Sequence, residues 1–334
     1  MRGKLARIAA WVVTLGLLGF LFWRTPISDV ADKARGAAGW TVPVAIVILA
    51  CIYLADSLAV WKTFGWFAAK LSLREILIVR GATYLLAAIS YSVGQGAIVY
   101  FVHRVGGVPI MRGVATVLFI MGINMLVLLV LASGGLLLAD TDVAPPALLT
   151  IVFAAYAGLA VYALAMWIKP GWLARRPVFQ VLLGAGLRGH LKATLVRLPH
   201  LVALVAYTTC MLAAFGIPVP IRQVIIDLPV VFFIAVLPIS VQGLGTTQAA
   251  MIFFFARHAP GSRAEQEAAV LACSLVSQAI SLGFQTTLGL ACLRTRVARE
   301  LRTATAAAAS PTADQDPGQG DGKADADAQP LAKA

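Results

Sequence analysis

Residues 238–248 read "PISVQGLGTTQ", between the apolar runs "VIIDLPVVFFIAVL" and "AAMIFFFA". A helix broken by Pro, Gly and neutral polar residues leaves backbone N–H and C=O groups unpaired. In lipid these must be satisfied by protein or by a wet cavity. The stretch therefore decides between a plain membrane span and a segment that dips in, breaks and returns.

The surrounding chain is oily enough to pose that question throughout. Of 334 residues, 60% are apolar and 13% charged, with a mean hydropathy of +0.86. This is the composition of an integral membrane protein. A bilayer core of about 30 Å takes roughly 20 apolar residues per helix. On that measure Ile8–Trp23, Thr41–Trp61, Val114–Leu138, Ala147–Ile168, Leu198–Phe215 and Ala268–Leu293 are expected spans, with 76–102 and 224–256 irregular. The first follows Arg2, Lys4 and Arg7 but ends in "FLFWRTP" without a small-residue cleavage site, and reads as an uncleaved anchor. Cys51, Cys210, Cys273 and Cys292 stand singly in apolar runs, and the four histidines lack ligand spacing. No disulfide, metal or other cofactor is expected. The formal charge of +12 sits in short loops, which matches the positive-inside pattern of membrane proteins and not a nucleic-acid face. Residues 303–334, rich in Ala, Asp, Pro and Gly, are expected to be a disordered cytoplasmic tail behind a membrane domain of 1–302.

A second break, "ISYSVGQGAIVYF" at 89–101, has the same character. Shifting the chain by 148 residues sets Arg74 on Arg222, Ile78 on Ile226, Ala87 on Ala235, Ser92 on Ser240 and Val93 on Val241. The halves 41–138 and 198–293 thus read as a duplication. Counting each irregular stretch as one span would expose the basic loop 169–197 outside and "ADTDVAPP" inside, against the charge rule. Two re-entrant hairpins, entering from opposite sides, restore it. The expected fold is all-α and integral to the membrane. It has six full transmembrane helices and two opposed re-entrant hairpins in an inverted repeat, with both termini cytoplasmic. Arg80 and Asp227 would mark the membrane border as interfacial anchors. The basic, apolar stretch 175–197 would lie on the cytoplasmic leaflet and attract anionic lipid.

Hairpin tips that reach the midplane would aim helix N-termini at one point, near Gln95-Gly96 and near Gly245-Thr246-Thr247. The expected anion-binding set is Ser92, Gly94, Gln95 and Gly96 with Ser240, Gln242, Gly243, Gly245, Thr246, Thr247 and Gln248. Tight helix packing would account for the same small residues without any ligand. Asp56, Asn124, Ser274, Gln278 and Ser281 are candidates for a cavity lining, the serines and glutamine equally for interhelical glue. Asp56 reads either as a proton-coupling carboxyl or as a hydrogen-bonded structural one.

The late motif resembles that of the membrane domain of lysylphosphatidylglycerol synthases, the flippase-like family. In that family the motif runs roughly Pro-x-Ser-x-Gly-Gly-x-Gly-x-x-Glu, which corresponds to Pro238, Ser240, Gln242, Gly243, Gly245 and Gln248; the family's early Gly-Glu corresponds to Gly94 and Gln95. Gln replaces the family's Glu at both 95 and 248, which favours an anionic cargo over a cationic one. The resemblance implies a lipid translocase of the bacterial inner membrane that is not an enzyme. Its partners would be membrane lipids and a lipid-modifying enzyme. A membrane-embedded transferase and a nonenzymatic accessory subunit are the competing expectations.

Overall fold

The computed structural model describes residues 2–89, 91–138, 146–236, 240 and 243–309, and every regular element among them is a helix. The chain divides into two units, 1–294 and 295–334. In the second, the helical residues run to Ala309, so the expected tail begins as helix; residues 310–334 lie outside the described ones.

In the first unit, four helices are long and apolar enough to cross a membrane, as an integral membrane protein requires: α3 (Thr41–Phe67), α6 (Ile110–Leu138), α10 (Gly186–Ala214) and α13 (Arg263–Ala309, apolar up to Arg294). Two further expected spans differ. Helix α1 (Arg2–Arg24) meets α2 (Ile27–Arg35) at 83°, the turn falling at Pro26, whose missing N–H cannot continue a helix. Helix α7 (Pro146–Ile168) is apolar over Val152–Ile168.

Each irregular stretch folds as two helices, α4 (Leu73–Ile89) with α5 (Tyr91–Gly106), and α11 (Ile221–Val236) with α12 (Thr246–Phe255). The short helices α8 (Gly171–Ala174) and α9 (Pro177–Gly184) link α7 to α10. Residues 175–197 pack in part on the bundle: Val181 and Leu183 are buried, α9 packs on α6, and Tyr162 Oη–H donates to Leu182 O at 2.9 Å. From Gly186 onward this stretch is the first turns of α10.

Contacts along α3 and α10 show that the two helices run in opposite directions. Ala38 N–H donates to Ala214 O at 3.1 Å, Asp56 pairs with Arg197, and a Cβ built on Gly189 would lie 3.1 Å from Phe67 Cζ. Helix α6 starts at the Phe67 end, where Arg112 Nε–H donates to Phe67 O at 2.8 Å. Helix α13 starts at the other end, where Glu267 pairs with Arg24 at 3.2 Å and Leu271 packs with Leu21, Val30 and Phe215. Since α4 follows α3 and α11 follows α10, the two hairpins begin at opposite ends of the bundle.

In lipid, helix association rests on close van der Waals approach. Gly289 of α13 accordingly faces α4, where an added Cβ would sit 2.5 Å from Leu85 Cβ. Gly81 of α4 returns the contact to Cys292. Helix α11 packs on α6. Each half's first hairpin arm thus leans on the other half's last helix.

Candidate functional site

A cavity of about 420 Å³ lies where these elements converge. Its walls repeat. Leu49, Ile52, Asp56 and Val60 of α3 face it, and so do Arg197, His200, Leu204 and Thr208 of α10, each 148 residues further on. Arg80 and Tyr84 of α4 are matched at the same interval by Leu228 and Phe232 of α11. Val117, Ile120, Met121 and Asn124 of α6 are matched by Ser274, Ser277, Gln278 and Ser281 of α13, at an interval of 157. The same faces of two equivalent halves therefore enclose one cavity, although almost none of the paired residues are alike.

The difference in chemistry is ordered. Helices α6 and α11 offer Val117, Ile120, Met121, Leu228, Val231 and Phe232, a wall that is apolar but for Asn124. Their counterparts α13 and α4 offer hydroxyls, amides, Tyr84 and Arg80. Symmetry-related walls thus have opposite polarity.

The charge is concentrated in one cluster. Asp56, 2% exposed, accepts from Arg80 Nε–H at 2.7 Å, from a second Arg80 N–H, from an Arg197 N–H and from Tyr84 Oη–H at 3.2 Å. Arg197 is 8% exposed, and its buried Nε–H has no hydrogen-bond partner among the described residues. Two guanidiniums against one carboxylate leave the cluster net positive; His200 faces the same cavity, its Nδ1 3.3 Å from Ile52 O. A buried charge persists where it is paired and its remaining lone pairs or protons are satisfied. Here the surplus is cationic, and it is offered to the cavity.

Asp56 is thus neither an isolated proton carrier nor a neutral structural acid, but the counter-ion of two arginines. Arg80 is no interfacial anchor: with 12% of its side chain exposed, it is held by Asp56 deep in the bundle. Arm length alone misplaced it, because α4 begins at Leu73 and Arg80 lies two turns in. Arg197, read as a loop charge, belongs to α10. The signal that could have found it is the spacing of Arg197, His200, Leu204 and Thr208 along one helix face.

Of the residues expected to bind, the structure brings Gly94, Gln95 and Thr247 to the cavity, with Asp56, Asn124, Ser274, Gln278 and Ser281. The tips of both hairpins thus reach it. The other described residues of the late motif build the second tip. Ser240 Oγ and Thr246 Oγ1 share a hydrogen bond of 2.8 Å. Gly243 (φ 70°) and Gly245 (φ 84°) take left-handed conformations. An added Cβ on Gly245 would lie 2.7 Å from Leu17 Cβ of α1. Gln248 is 1% exposed, and its Oε1 accepts from Gly245 N–H at 2.7 Å. It caps α12 and does not line the cavity, so the Glu-to-Gln departure at 248 keeps a cap acceptor.

At the first tip, α5 begins at Tyr91, so Gln95 and Gly96 stand one turn inside the helix and not at its N-terminus. Gly94 is wedged against Ala87, where an added Cβ would lie 2.6 Å from Ala87 Cβ. Gly96 is exposed, with open space where a side chain would go. Ser92 falls within α5 but its side chain is outside the described residues, as is Gln242 altogether.

Compared with protein-family models, with curated proteins and with solved structures, the chain matches none. Its function is read from the cavity.

Proposed function

We propose that this protein is a translocase that carries an amphiphile with a phosphate-bearing head group, a phospholipid or lipid-linked intermediate, across a bacterial inner membrane. The observation that carries the reading is the single cavity, walled by equivalent faces of two oppositely running halves and holding a net-positive arginine pair. A guanidinium pair matches the oxygens of a phosphate. The apolar wall opposite accommodates the start of an acyl or prenyl chain. In a membrane, the arrangement corresponds to an inverted repeat with a midplane site, the architecture of alternating access.

Under this reading α1, α3, α6, α7, α10 and α13 cross the membrane, and the α4–α5 and α11–α12 hairpins are re-entrant from opposite sides. Lys70, Arg74, Arg104, Arg112, Arg176 and Arg188 flank the Phe67 end of the bundle, which the positive-inside rule sets in the cytoplasm together with both termini. The resemblance of the late motif to the synthase membrane domain agrees with a lipid cargo.

Purified protein in liposomes carrying acyl-chain-labelled phospholipid tests the reading. Transfer between leaflets, measured by quenching of the outer leaflet, should be lost in Arg197→Gln while the variant remains folded. A covalently altered lipid would indicate a transferase instead. No transfer and no product would leave an accessory role.

A further inference from the structure

The polar wall of the cavity carries more hydrogen-bonding capacity than a phosphate uses. Four side-chain amides face the cavity, those of Gln95, Asn124, Gln278 and Gln285. Among the described residues, none of these amides is hydrogen-bonded to another group. The hydroxyls on the same wall are committed as donors. Ser274 Oγ–H donates to Leu271 O at 2.9 Å and Ser277 Oγ–H to Cys273 O at 2.7 Å. Tyr207 Oη–H donates to Ser277 O at 2.9 Å, so its contact of 3.1 Å with Ser281 Oγ takes the serine's proton. Three serine oxygens therefore face the cavity able only to accept, beside amides that can both accept and donate. The complement of such a wall is a ligand that brings several donors of its own.

Two kinds of head group bring donors: ammonium groups and hydroxyls. An ammonium is a second cation, and among the described residues Asp56 is the one acidic group facing the cavity, with both its oxygens held by arginines. In a low-dielectric site the surplus guanidinium charge repels a second cation. Hydroxyls suffer no such repulsion.

We propose that the cavity selects an anionic polyol phosphate: a phosphate on Arg80 and Arg197, and a neutral head group with two or more hydroxyls on the amides and serines of α13, Asn124 and Gln95. Aminated head groups, zwitterionic or cationic, are selected against. This rests on the translocase reading and specifies its cargo.

The test uses full-length protein in liposomes with three acyl-labelled lipids of similar head-group size: phosphatidylglycerol, phosphatidylpropanol, which has the phosphate but no hydroxyl, and phosphatidylethanolamine. Phosphatidylglycerol should cross about tenfold or more faster than either of the others, as expected when two or more hydrogen bonds are left unmade. Gln278→Leu should lower phosphatidylglycerol transfer by about tenfold more than it lowers phosphatidylpropanol transfer, a pattern that misfolding would not produce. Equal rates for phosphatidylglycerol and phosphatidylpropanol would overturn the polyol selection while leaving a translocase. Fastest transfer of phosphatidylethanolamine would overturn the charge argument. Uptake of free glycerol 3-phosphate with all lipids immobile would support the polyol phosphate and remove the lipid. Immobility of every probe would remove both readings.

Discussion

Asp56 is the residue on which the cavity's charge turns, because it pairs with both Arg80 and Arg197. Removing one partner of a buried ion pair leaves the other charge uncompensated, at a cost of about 3–5 kcal/mol. Asp56→Asn should therefore lower the thermal unfolding midpoint in detergent well below that of wild type. The double variant Asp56→Asn/Arg197→Gln, which returns the cluster to its wild-type net charge, should recover much of the loss. If the double variant is as unstable as the sum of its parts, the two residues are not coupled. Gln248 behaves differently, since its oxygen serves Gly245 N–H and not the cargo. Gln248→Glu keeps an acceptor there and should leave lipid transfer unchanged across pH, whereas Gln248→Leu orphans a buried N–H and should cost about 1–3 kcal/mol of stability. A pH-dependent transport phenotype for Gln248→Glu would put the residue back in the cavity.

At the scale of elements, the glycines of the hairpins separate into those that a side chain would disturb and those that it would not. Gly94→Leu should abolish transfer or expression, because its Cβ lands on Ala87 across the hairpin. Gly96→Leu should be tolerated, as it points into open space. Equal phenotypes would mean that the α4–α5 hairpin does not pack as described. Gly245→Ala combines a left-handed backbone with a contact against α1 and should destabilise the tip by more than about 1 kcal/mol. The sequence already marked both hairpins, because a Gly/Gln break inside an apolar run interrupts a helix where lipid offers no hydrogen bonds in exchange. It also supplied the 148-residue interval, through Arg74 and Arg222 or Ala87 and Ala235. What it could not supply was the cavity lining. Ile52 and His200, or Arg80 and Leu228, occupy matched positions without chemical likeness, so no comparison of residue types would pair them. The role of Gln248 was hidden for another reason: a cap and a ligand contact ask for the same amide.

For the whole molecule, the translocase reading sets the two ends of the bundle, at which the α4–α5 and α11–α12 hairpins begin, in different compartments. Single cysteines at Arg74 and Arg176, in a background without native cysteine, should resist an impermeant thiol reagent applied from outside intact cells, and one at Ser262 should react. Labelling of 176 from outside with 74 protected would undo the re-entrant reading of the α4–α5 hairpin. Both hairpin tips, on the reading above, bound one cavity through which cargo passes. Cysteines at Gln95 and Thr247, joined in liposomes by reducible thiol cross-linkers of increasing length, test this most directly. One linker length should join the tips and stop lipid transfer, and reduction should restore it. Transfer that continues undiminished with the tips joined would contradict passage between them.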